Sequence, residues 1–120
     1  MQFDKDINGR YAEILLKLRE ILLSFSEIKE TKNAKQTSYR DSYAIVAMIR
    51  DRGDKFVMSL GKGVALQEKY PFLEGDGKIV RHLYFSDTGD IDEGLIREII
   101  EETIILNLEA YEMKRLRKLL

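Results

Sequence analysis

The chain has no cysteine and no tryptophan, and a single proline (Pro71) and a single histidine (His82) among its 120 residues. The missing cysteines exclude disulfides, thiolate nucleophiles and Cys-based zinc or iron–sulfur sites. With one histidine, only His82 titrates near neutral pH unaided. Neither sign of charge dominates: Lys and Arg number 20 against 21 Asp and Glu, a formal net charge of −1. Counterion release therefore has no basic excess to draw on, and no nucleic-acid partner is expected. Long apolar runs are missing too. The richest stretch, "AEILLKLREILLSF", is interrupted by Lys17, Arg19 and Glu20, which fits neither a signal-peptide core nor a membrane span of ~20 apolar residues. No membrane partner and a cytoplasmic location are expected.

What is present suits one domain, 1–120, with hydrophobic residues at 44% and charged residues at 34%. A chain this long can hide roughly two-thirds of its unfolded surface. Tyr11, Ile14, Leu15, Leu18, Ile21, Leu22 and Phe25 recur at helical spacing, with Leu16 and Leu23 widening the stripe. That predicts a helix over 9–27, capped by Asn8. Residues 29–38 read as a solvated connection. The period then changes, and "QTSYR" (36–40) predicts a short edge strand turned at Asp41-Ser42. "YAIVAMIR" (43–50) predicts an interior strand, and "KFVMSL" (55–60) its hairpin partner across Gly53. "KIVRHLYF" (78–85) predicts the fourth strand. Asp90 and Glu93 form a D-x-x-E capping box before a long helix, whose stripe runs Leu95, Ile96, Ile99, Ile100, Thr103, Ile104, Leu108, Tyr111. The expected fold is α+β: a four-stranded antiparallel sheet with N- and C-terminal helices packed on it, in the order α-β-β-β-(short α)-β-α. Residues 112–120 form a basic amphipathic tail.

The glycine-rich crossing "GKGVALQEKYPFLEGDGKIVRH" (61–82) fails as a phosphate loop. A Walker motif would need glycine at 72, which is Phe72, and Ser or Thr after Lys78, where Ile79 stands. A dinucleotide fingerprint starting at Gly61 would need glycine at 66, which is Leu66. The glycines then serve bends. "VALQEKY" (64–70) allows two helical turns stopped by Pro71, with Phe72 and Leu73 plugging the core. A functional reading has backbone N–H groups near Gly61 and Gly63 join Lys62 and Arg81 around an anion.

Gly61, Gly63, Leu66, Leu73, Gly75, Gly77, Lys78 and Arg81, followed by Asp90, Ile91 and Asp92, resemble the pattern of the YdhG-like bacterial family of domains of unknown function. The likeness runs from about residue 36 to 107. It implies a compact α+β domain with an antiparallel sheet and flanking helices. One branch of that family is described as frataxin-like iron chaperones. The chain departs from the family before the second strand, where many members carry a Trp and a Pro and this one has "KQTSYR".

No Ser or Thr shows a sequence-visible base, and His82 shows no partner, so a catalyst is not expected. The expected function is a binding or interaction module for a small polar or anionic ligand, or for a partner protein. Its candidate residues are Tyr39, Arg40, Lys62 and Arg81, in a cleft between the sheet and the crossing; arginine suits a bidentate grip on carboxylate or phosphate. The alternative is iron held weakly by Glu98, Glu101 and Glu102, neighbours on one helix. "YEMKRLRKLL" sets Met113, Leu116, Leu119 and Leu120 opposite its cations, which points to a homodimer through the C-terminal helix.

Overall fold

The computed structural model describes residues 1–120. Two helices open the chain, α1 (Gln2–Ile7) and α2 (Ala12–Leu23). Four strands follow: β1 (Lys29–Lys32), β2 (Thr37–Arg40), β3 (Ile45–Asp51) and β4 (Phe56–Leu60). The crossing contains a single turn, α3 (Gly63–Leu66), before β5 (Arg81–Phe85), and α4 (Glu93–Leu119) closes the chain. All five strands pair antiparallel with their sequence neighbours, β1-β2-β3-β4-β5. The class is α+β as expected, with one strand more than the four anticipated.

That extra strand lies where a solvated connection was expected. "KETK" carries no apolar residue, yet it pairs Lys29–Lys32 with Arg40–Thr37. It is the edge of the sheet, so its backbone supplies the ladder while its side chains stay largely wet. Residues 37–40 are therefore interior, not an edge. The single helix expected over 9–27 is also two. Gly9 separates them, and Asn8 closes α1 through its Nδ2 bond to the Asp4 carbonyl instead of capping α2.

The core lies between one face of the sheet and the helices. Register places Tyr39, Ala47, Leu60 and Arg81 in one row across β2–β5, and Ile49, Met58 and Leu83 in another. Against these rows pack Ile14, Leu15, Leu18, Ile21 and Leu22 of α2 and Ile96, Ile99 and Ile100 of α4. Each fully buried Leu or Ile contributes roughly 1.5–3 kcal/mol, so this stripe, more than intrinsic helicity, holds α2 in place. Leu16 and Leu23 are exposed, so the stripe is narrower than expected. The opposite sheet face carries no helix. Val57, in a row with Arg50 and Tyr84, is buried yet stands outside the core cluster, shielded by its own sheet neighbours.

Three local expectations are corrected. Phe72 is 49% exposed, and only Leu73 enters the core. Leu73 folds back onto Tyr70 through its N–H, so its predecessor turns outward. The capping box joins Asp87 and Asp90 around a short 3-10 turn, while Asp92 caps α4 by accepting from the Leu95 N–H. Leu108 and Tyr111 are exposed, because α4 outruns the sheet: Asn107 is its last buried residue.

The glycines at the end of β4 permit close approach. A Cβ on Gly61 would sit 2.6 Å from the Ile45 carbonyl oxygen, and one on Gly63 would overlap the backbone of Arg81. Gly53, at φ 100°, makes the β3–β4 hairpin as expected.

Candidate functional site

At one corner of the molecule the β2–β3 turn, the end of β4 and the last buried turn of α4 converge. The turn is built by Asp41. Its Oδ1 accepts from the N–H groups of Tyr43 (2.8 Å) and Ala44 (2.9 Å), closing a tight Asx-type loop. Its Oδ2 accepts from Asn107 Nδ2 at 3.1 Å, and the same Nδ2 reaches the Ile45 carbonyl at 3.3 Å. Both neighbours can only accept, which fixes the orientation of the amide. Asn107 Oδ1 is thereby left without a protein partner, in a side chain only 1% exposed.

Asn107 lines a cavity of about 240 Å³ with Tyr43, Ala44, Lys62, Ala110, Tyr111 and Lys114. Helical periodicity places 107, 110, 111 and 114 on one side of α4. The rings of Tyr43 and Tyr111 pack at 4.6 Å between centroids and form an aromatic wall. Neither Lys62 nor Lys114 has a carboxylate within ion-pair range. Asp6 Oδ2, Thr37 Oγ1 and Tyr70 Oη are also buried without partners. Of these four groups, only Asn107 lines one of the five larger hollows. Chemically the corner offers two cations and an aromatic wall.

Of the four residues expected to share a cleft, only Lys62 lies here. Tyr39 is fully buried, and its hydroxyl donates to Glu30 Oε2 at 2.7 Å. Arg19 reaches the same carboxylate at 2.7 and 3.1 Å. Burial alone would raise the Glu30 carboxyl, but the bonds from Arg19 and Tyr39 outweigh it and hold the group below its usual range. Burial, then the adjacent carboxylate, pushes the Tyr39 phenol far up. Arg40 lines a separate hollow of about 540 Å³ with Lys29 and three carboxylates, Glu27, Glu30 and Asp41. Arg81 is spent on the crossing: it donates to Gln67 Oε1 (2.9 Å) and to the carbonyls of Gly77 (2.6 Å) and Val80 (2.9 Å). Tyr39 and Arg81 share a sheet row but stand three strand spacings apart, about 14 Å. The four do not form one cleft.

The iron alternative meets a cation already in place. Lys69 Nζ lies 2.7 Å from Glu102 and 3.8 Å from Glu98. No group of three or more His, Asp or Glu side chains is placed to share a metal ion.

One pair was not legible in the sequence. Ser59 Oγ and His82 Nδ1 share a hydrogen bond at 2.8 Å across β4 and β5, on the helix-free face. Their 23-residue separation hid it. Burial, followed by nearby Arg52, Arg81 and Arg50, lowers the His82 pKa below its ordinary value. No carboxylate side chain is hydrogen-bonded to the ring, so the orienting third member of a nucleophilic triad is not in place.

No helix is long and apolar enough to cross a membrane. No protein-family model, no curated protein and no solved structure matches this chain.

Proposed function

We propose that the protein is a non-catalytic binding module of the YdhG-like type, whose site is the corner cavity and whose ligand is a small organic acid. The observation that carries this reading is a hollow flanked by Lys62 and Lys114, neither of them in an ion pair, and walled by the packed rings of Tyr43 and Tyr111. The two ammonium groups hold the acid as point charges, and the Tyr43–Tyr111 wall covers its apolar body. Placing recognition here replaces Tyr39, Arg40 and Arg81 with Tyr43, Asn107, Tyr111 and Lys114, and keeps Lys62.

The test is a thermal-shift panel of lactate, glutamate, salicylate and 4-hydroxybenzoate, with sodium chloride at matched ionic strength as control. At least one acid raises Tm in the wild type, and the rise disappears in Lys62→Ala and Lys114→Ala. A panel without a rise, or a rise that survives in the double variant, removes the reading.

A further inference from the structure

We propose that α1 is an acid-tightened latch: it grips the end of β3 with the Asp6 carboxyl protonated, and it loosens about Gly9 once that proton is lost. Asp6 acts at the Asp51 end of β3, whereas the corner cavity lies at its Ile45 end, so the inference stands apart from the ligand reading.

α1 packs against α2 and β3, with Phe3 and Ile7 half-buried against the core. Asp6 shares that face, three residues after Phe3 and one before Ile7, and is only 1% exposed. Its neighbours Asp4 and Lys5 are exposed. Oδ1 accepts from Gln2 Nε2 at 2.8 Å, and Oδ2 has no hydrogen-bond partner. A carboxyl so placed is better accommodated as the neutral acid, because the anion would keep a bare charged oxygen away from water.

Asp51 sharpens the conflict. Its carboxylate stands at the C-terminal end of α1: a Cβ on Gly9 would lie 3.1 Å from Asp51 Oδ2 and 3.3 Å from the Lys5 carbonyl oxygen. Asp51 Oδ1 is already taken by the Gly53 N–H at 2.7 Å. The charged groups acting on Asp6 are Asp51 and Arg50, both of β3. Burial and the Asp51 charge outweigh the Gln2 bond, the nearby Asp51 N–H and Arg50, and the Asp6 pKa is raised. The other ties of α1 include the Gln2 N–H to the Asn33 carbonyl and the Phe3 ring beneath Lys32 and Arg19. Lys32 and Arg19 keep their charge between about pH 4 and 8, so these ties do not respond to acid.

A raised folded pKa makes docking strongest below the ordinary value of 3.8 and weaker as pH rises through the folded value. Glu30 and His82 have the opposite sign, since both favour the whole fold as pH rises. That contrast separates a local opening of α1 from global unfolding.

The test is native-state hydrogen exchange, read as protection factors between about pH 4 and pH 8 so that the intrinsic pH dependence of exchange cancels. In the wild type, protection of the Ile7 and Gly9 amides falls as pH rises, about tenfold for each unit by which the Asp6 pKa is elevated. At Leu18 and Leu22 of α2 it does not fall. Asp6→Asn, a neutral side chain of the same shape, holds α1 protection level across the range and above the wild type at neutral pH. Wild-type α1 protection that stays constant or rises with pH overturns the latch. So does a parallel fall at Leu18 and Leu22, or a fall that persists undiminished in Asp6→Asn.

Discussion

Asn107 Nδ2 donates to Asp41 Oδ2 across 66 residues of sequence and ties the β2–β3 turn to the last buried turn of α4. The bond is buried, with Asn107 1% and Asp41 6% exposed. Replacing Asn107 by Leu strips the donor from Asp41 and from the Ile45 carbonyl. The cost is about 1–3 kcal/mol, seen as a lower urea midpoint with an unchanged m-value. Asn107→Asp sets two carboxylates against each other and costs more than Asn107→Leu at pH 7.

Gly63 touches the Arg81 backbone too closely for any side chain. Gly63→Ala forces the crossing away from β5 and breaks the bond from the Val64 N–H to the Ile79 carbonyl. A loss of roughly 2–4 kcal/mol is expected, the range of backbone strain together with a lost buried bond. Gly77→Ala, which meets nothing closer than 3.8 Å, serves as the tolerated control in the same urea series.

Tyr39 and Arg19 hold the Glu30 carboxyl below its ordinary value, so their stabilisation is fully present above pH 4.5 and lost as pH falls through the lower folded value. Tyr39→Phe removes one charge-assisted bond, at about 1.5–3 kcal/mol. Urea midpoints of wild type and variant then differ at pH 7 and draw together as pH falls below 4.5.

His82 carries a dependence of the same sign at higher pH. Its folded pKa lies below the ordinary 6.5, so the unfolded chain takes up the proton first as pH falls. Stability is flat above pH 6.5 and declines as pH drops from there toward the folded value. His82→Gln flattens that decline, and proton NMR titration of the wild-type ring gives a midpoint below 6.5.

Helical periodicity made α2 readable from sequence, and β3 and β4 showed as short apolar runs, too short for helices, on either side of the Gly53 turn. β1 and α1 carried no such signature. "KETK" is an edge strand held by its backbone ladder, and the six-residue α1 buries Asp6, not an apolar stripe. The corner was half legible. Lys62 stood out beside its glycines, whereas Asn107 looked like an ordinary helix residue. Its signal was position: four residues after Thr103, on the stripe of Ile96, Ile99 and Ile100, it is a polar group in a core slot. Tyr39 and Arg81 misled because strand order places them three strands apart and because each has protein partners of its own.

Titrating the 15N-labelled protein with the organic acid that most raises its Tm, and mapping amide shifts, tests the corner site most directly. Movement concentrated at Tyr43, Ala44, Lys62, Ala110, Tyr111 and Lys114 is the expected result. Shifts confined to the helix-free sheet face around Ser59, His82 and Tyr84, or no shifts at saturating acid, would contradict it.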